Sequence, residues 1–293
     1  LIHSKVLNPT IIARGSHLEA IRANGLHVED EGEHFRVEGA NFIQNPQNNE
    51  LFDVVIFCTK SYDLEEAAHQ ISPYTDKNTL VFALCNGLGH AQTLKSIFPK
   101  NPIASACIYI LSNITKPGYI RKYGGVFLLF AGANPQPEKL VQMADLFNRA
   151  NLRFKLSEDI ILECWKKYLF IATFGALTAY YNEPIGAIME HHGEKAKSLL
   201  AEIQVIAHAK GIDLSDSIIE KSLHQAREKV PYNATTSLQL DINSGKHSEL
   251  EALLGTIAKE AMMTKTHAPV LFAVSYTHLR AHETVLDLVC RLL

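Results

Sequence analysis

The sequence predicts an α/β parallel-sheet domain followed by an all-α domain, and three observations lead to that class. Up to about residue 155, short β-branched runs alternate with segments of helical period, the pattern of a sheet with crossover helices. From about residue 157 onward, helical segments follow one another with few strand signals. The length of 293 residues is enough for two cores at roughly 150 residues per domain. The predicted division is 1–155 for the sheet domain, 156–274 for the helical domain and 275–293 for a tail.

The elements are read in order. TIIAR, residues 10–14, is a short strand, and Ser16 with Glu19 three positions on forms a capping box that predicts a helix over 16–24. A polar stretch with Asn45, Pro46, Asn48 and Asn49 leads into FDVVIFCT, residues 52–59, whose near-continuous hydrophobicity predicts a central strand buried on both faces. A helix over 63–71, the strand TLVFALC at 79–85, the turn NGLG at 86–89, a helix over 90–97 and a strand over 103–111 follow. Residues 118–131 read as a hairpin turned at Gly124 and Gly125, and 135–150 as an amphipathic helix begun by proline. In the second half, helices are predicted over 159–181, 193–210, 215–228, 236–243 and 248–264, with breaks at Pro231, Tyr232 and Asn233 and at Ser244, Gly245 and Lys246.

Composition narrows the function. Apolar residues make up 47% and charged residues 20%, with 28 Lys+Arg against 31 Asp+Glu, the balance of a folded globular protein. A net charge of -3 argues against a nucleic-acid partner, which calls for concentrated positive charge, so a small-molecule substrate is expected. The five cysteines contain no CxxC pair, which points to a reducing compartment. The most apolar stretch, 168–181, is too short to span a bilayer, and His3, Ser4 and Lys5 stand where a signal peptide would be apolar. A cytoplasmic protein without membrane partners is therefore expected, with a homodimer left open. The chain begins without Met, which suggests that Leu1 is not its natural start.

Several residues can carry chemistry. The G-x-G-x-x-G turn of a dinucleotide-binding sheet is absent, and the GxG of Gly87 and Gly89 supports little more than a tight strand-to-helix turn. Arg14 ends a strand directly before a helix, where a guanidinium and backbone donors can hold a phosphate and favour NADP; a solvated surface arginine is the equal alternative. Lys60 and Asn86 follow adjacent strands at their carboxyl ends, where ligands sit in open α/β sheets. Lys166 and Lys167 open a mostly apolar helix, where desolvation makes an ammonium a readier proton donor. Spacing does not choose between them, and Glu163, four residues before Lys167, offers an ordinary intrahelical ion pair. Ser237 and Glu249 flank a polar turn between helical segments. His191 and His192, as neighbours, point apart, while His278 and His282 have metal-ligand spacing without a third ligand, so no metal is expected.

RGSHLEAI, VIFCTK, CNGLG, ECWKK and SLQLDINSGKHSELE occur in the order and approximate spacing of the ketopantoate reductases, the 2-dehydropantoate 2-reductases of pantothenate synthesis, and the chain resembles that family over residues 9–270. The resemblance implies a Rossmann domain that binds NADPH, a helical domain, and reduction of ketopantoate to D-pantoate. It implies that Arg14 contacts the 2′-phosphate of NADP and that Lys60 and Asn86 lie near substrate and nicotinamide. It further implies that Lys167, and not Lys166, is the general acid, that Ser237 binds substrate, and that Glu249 lies on the cofactor side.

Three departures from the family pattern carry expectations of their own. Residues 1–8 contain neither the opening strand nor the glycine-rich turn. That strand is interior in the usual order, so its loss leaves its neighbours unpaired and predicts a fragment that does not bind NADPH tightly. Ile171, Gly175 and Ile185 stand where the family commonly carries asparagines, so another 2-oxo or 3-oxo acid is an alternative substrate. From about Ser275 the chain diverges from the expected last helix, which predicts a non-native tail. A different class of reading is a non-catalytic helical binding domain carrying a decayed Rossmann half.

Overall fold

A computed structural model describes residues 9–37, 40–47 and 51–280 of the protein. The chain divides into two compact units. The first holds the described residues up to Thr59 together with Leu64–Leu84 and His90–Ile160. Its strands are β1 (Thr10–Ile12), β2 (Leu26–Asp30), β3 (Glu33–Val37), β4 (Asn41–Ile43), β5 (Val54–Phe57), β6 (Leu80–Ala83), β7 (Ile103–Lys116), β8 (Tyr119–Gly132) and β9 (Arg153–Leu156), and its helices are α1 (Gly15–Asn24), α2 (Leu64–Ile71), α3 (His90–Ile97) and α4 (Glu138–Arg149). The main sheet runs β3-β2-β8-β7-β6-β5, with β9 joined to β8, and β1 and β4 form a separate parallel pair. Strands β5, β6 and β7 are parallel, the Rossmann-like part of the unit.

The expected central strand over residues 52–59 is β5, and it ends the sheet path, paired with β6 alone among the described residues. Its apolar run reflects cover on both faces, as expected, and not pairing on both edges. Val55 and Phe57 are buried, with Phe57 against Phe98, while Val54 and Ile56 pack half-buried on a core built by Leu80, Phe82, Leu129, Leu140, Phe147 and Phe154. Periodicity reports cover on the two faces of a strand and is silent about partners on its two edges. Residues 1–8, on which the expectation of a missing strand rests, lie outside the described residues.

Two turn assignments also change. The hairpin joins β7 to β8 through Pro117 and Gly118, with Lys116 paired to Tyr119, and does not turn at Gly124 and Gly125. Proline at the second position and glycine at φ 79° at the third are what a type II turn requires. Gly124, at φ 65°, lies within β8 where the register against β7 shifts, since a left-handed glycine serves a bulge as well as a turn. Helix α1 has Arg14 as its N-cap without a side-chain cap, so Ser16 is already inside the helix and the Ser16–Glu19 capping box does not form.

A buried amide ties the unit together. Asn101, 7% exposed, donates from Nδ2 to the carbonyls of Asp76 and Thr79 at 2.5 and 3.0 Å, linking the loop before β7 to the turn before β6. Asn101→Ala strands two carbonyl acceptors and is expected to lower stability by about 1–3 kcal/mol, measured by denaturant unfolding.

The second unit holds Lys60–Asp63, Cys85–Gly89 and the described residues from Ile161 onward. Its helices are α5 (Ile160–Tyr181), α6 (Ile185–His191), α7 (Gly193–Ala209), α8 (Ile218–Glu228), α9 (Ser237–Asn243), α10 (Thr256–Met263) and α11 (Pro269–Arg280), with a π turn at Glu251–Gly255 before α10. The π turn replaces the first part of the helix expected over 248–264. Helix α5 contributes Leu169, Ala172, Phe174, Ala176 and Leu177, all fully buried, to a core cluster that also holds residues of α7, α10 and α11. Glu202 of α7 accepts the Val270 and Leu271 N–H groups at 2.9 and 2.7 Å, capping α11 from another helix. Ser275, where the tail was expected to begin, is buried in α11. Residues 281–293, with His282 and Cys290, and the side chain of His278 lie outside the described residues. Among the described residues no helix is long and apolar enough to cross a membrane.

Candidate active site

Two short segments leave the sheet strands and cluster with the helical unit. Lys60 and the 3-10 turn Ser61–Asp63 follow β5, and Cys85–Gly89 follows β6. In the second segment Gly87 and Gly89 take φ of 115° and 85°, a path reserved in practice for glycine, and Leu88 packs on the helical core. The GxG pattern is therefore a turn-former here, as its spacing alone suggested. Its consequence is the placement of Asn86.

Asn86 sits in a chain of polar contacts. Its Oδ1 accepts from Lys167 Nζ at 2.8 Å, and its Nδ2 donates to Glu249 Oε2 at 3.5 Å. An ammonium only donates and a carboxylate only accepts, so these two partners fix the orientation of the amide. Glu249, 4% exposed, also accepts the Ser61 N–H at Oε1, 3.1 Å away, and lies 3.6 Å from Lys60 Nζ. A carboxylate so buried is tolerated because it is hydrogen-bonded and faces a cation. Lys60 Nζ in turn binds Asp241 Oδ2 of α9 at 2.8 Å. Burial works to lower the Lys60 pKa, but the hydrogen bond to Asp241 and the charges of Glu249 and Asp241 outweigh it and hold it above the ordinary lysine value.

The two candidate lysines are separated by their surroundings. Lys167 is 9% exposed and reaches Asn86, whereas Lys166 pairs with Glu163 at 2.8 Å on the half-exposed side of α5. Glu163 thus pairs with Lys166, three residues on, and successive helical residues point about 100° apart.

The sequence-derived set is brought together in part. Lys60, Asn86, Lys167 and Glu249 form one connected network. Ser237, in the first turn of α9, is exposed and makes none of its contacts. Arg14 belongs to the α/β unit, where its exposed guanidinium binds Gln70 Oε1 of α2. Asp241 was missed; its position one helical turn after Ser237 was the available signal. Beside the network, Tyr62 stacks on His247 with ring centroids 4.0 Å apart.

The positions of unexpected residue type are apolar in setting. Ile171 is half-buried one turn beyond Lys167, Gly175 faces Leu238 and Leu253, and Ile185 is 5% exposed in the helical core.

Comparison with known proteins agrees with this architecture. The pattern of the ketopantoate reductase PanE/ApbA family matches residues 1–132, and that of the family's C-terminal domain matches residues 159–283. An uncharacterized oxidoreductase, YkpB, of Bacillus subtilis (strain 168) is 25% identical over 280 residues, covering 94% of this chain and 90% of the relative. The 2-dehydropantoate 2-reductase of Halobacterium salinarum is 26% identical over 263 residues, covering 88% and 85%. The crystal structure of a PanE/ApbA family ketopantoate reductase from Ralstonia eutropha JMP134 superposes with a TM-score of 0.83 at 26% identity, covering 92% of this chain and 88% of that one. With a Rossmann-like parallel-sheet domain, a helical domain after it, and both family patterns matched in order, the chain belongs to the PanE/ApbA ketopantoate reductase family of oxidoreductases.

Proposed function

We propose that the protein reduces 2-dehydropantoate to D-pantoate with NADPH, as a cytoplasmic enzyme of pantothenate synthesis, with Lys167 as the general acid. The observation that carries this reading is the buried Lys167 ammonium held at 2.8 Å by Asn86 Oδ1. A ketone oxygen is an acceptor of the same kind, so a substrate carbonyl can take up a bond from this ammonium at little reorganisation cost. As negative charge grows on that oxygen, Lys167 stabilises it and then delivers the proton that completes the alcohol. Asn86 keeps the ammonium aimed, and Glu249 keeps Asn86 aimed. Lys60 supplies a second positive charge suited to the substrate carboxylate, and Ser237 is a further substrate contact.

Arg14 is exposed at the N-cap of α1, whose first turn has no side-chain cap, with its guanidinium on Gln70 of α2. A guanidinium suits a 2′-phosphate, so Arg14 would take that group of NADP; Asn86 and Glu249 are proposed as cofactor contacts of the helical unit by itself. When bound, NADPH supplies the hydride. Among the described residues there is no glycine-rich pyrophosphate turn of the G-x-G-x-x-G form.

The protein should consume NADPH with 2-dehydropantoate; no turnover with any 2-oxo acid would reject the reading. A second reading, reduction of a 2-oxo or 3-oxo acid with an apolar side chain, is favoured by Ile171, Gly175 and Ile185, which offer a substrate hydroxyl no side-chain partner. A hydroxyl-binding site and an apolar one differ by up to several powers of ten in the substrates they accept. Ile171→Asn is expected to raise kcat/KM for 2-dehydropantoate relative to its deoxy analogue by about tenfold or more if the apolar acid is the natural substrate. An unchanged ratio would remove Ile171 from the substrate's surroundings.

A further inference from the structure

We infer that Asp241 is a positioning residue of this site, holding the Lys60 ammonium in place as the cation that receives the substrate's carboxylate. The inference rests on the oxidoreductase reading for the substrate, while the geometry stands by itself.

Lys60 is the less buried of the two network lysines, with a side chain 39% exposed, on a flexible four-carbon stem. Left alone, such an ammonium samples solvent. Asp241 Oδ2 binds it at 2.8 Å, closer than the 3.6 Å to Glu249, so the contact that fixes the ammonium is the one to α9. Glu249 is already engaged by the Ser61 N–H and by Asn86. The two carboxylates therefore divide the work: Glu249 orders Asn86 and through it Lys167, and Asp241 orders Lys60. The charged groups facing Lys60 are Asp241 from α9, Glu249 from the segment after α9, and Tyr62 from its own turn, with His247 stacked on Tyr62 and Asp63 next to it.

The substrate carboxylate is unchanged between ground and transition state, so a residue that orders its partner affects binding and leaves the chemical step nearly untouched. Asp241→Asn should raise KM for the oxo acid about five- to tenfold with kcat within about twofold, the size of effect a half-exposed charge pair supports. Asp241→Glu should recover most of the loss. A KM that is unchanged or lowered, or a loss confined to kcat, overturns the inference.

A second measurement does not depend on turnover. Competitive acetylation read out at Lys60 by mass spectrometry across pH reports when its ammonium gives up its proton. In the wild type this point should lie above that of the exposed lysines; Asp241→Asn should bring it down and increase labelling, and Asp241→Glu should restore it. A Lys60 profile unaffected by Asp241→Asn, or not restored by Asp241→Glu, overturns the inference. An inactive wild type with the expected labelling overturns the substrate's part in it and the proposed reaction, and leaves the Asp241 hold on Lys60 intact.

Discussion

Lys167→Ala is expected to lower kcat for the oxo acid by about a hundred- to ten-thousandfold, the range of a positioned proton donor. Lys166→Ala, at the adjacent position but paired with Glu163 on the half-exposed side of α5, should leave kcat within about twofold. Steady-state assays on the two variants measure the contrast directly. Lys167→Met keeps the apolar stem and so separates loss of the proton from loss of packing. Equal activity of the Lys166 and Lys167 variants would remove the general-acid assignment.

Leu169→Ala tests the other function of the same helix. Leu169 is fully buried two positions beyond Lys167, in the core that α5 shares with α7, α10 and α11. Truncation removes transfer energy and leaves a cavity, so a loss of about 2–5 kcal/mol is expected. Because two compact units are present, the loss should be followed by probes in each, with the helical unit melting earlier. Trp165, the single tryptophan and 4% exposed on α5, is the fluorescent reporter for that unit. A midpoint unchanged within error would mean that Leu169 does not support this core.

The order of most helices and of β1, β5, β6 and β7 was legible because it depends on local signals, whereas the strands β2, β3, β4 and β9 were not read. Helix α3 starts at His90 after the NGLG turn, and α5 covers most of the stretch read from apolar period. Helix α6 went unread because seven residues are too short for a period to declare itself. Errors fell where one local signal serves two structures: Gly124 marks a bulge and Gly118 the turn, and Ser16 resembles a cap while Arg14 occupies that position. That β5 ends the sheet path among the described residues was hidden because both its faces are apolar whether or not both its edges are paired.

The amino-acid sequence alone determined the α/β-then-α architecture, the balance of charge that favours small molecules over nucleic acid, and a short set of polar residues at strand ends and on one apolar helix. Those properties follow from neighbours along the chain. Which lysine is buried, which carboxylate meets Asn86, and that Asp241 and not Ser237 joins the network were decided by tertiary structure. Lys60, Asn86, Lys167 and Glu249 are scattered along the chain, and the polar contacts of 2.8 to 3.6 Å between them exist only after α5, the segment following α9 and two strand-end segments have come together in one unit.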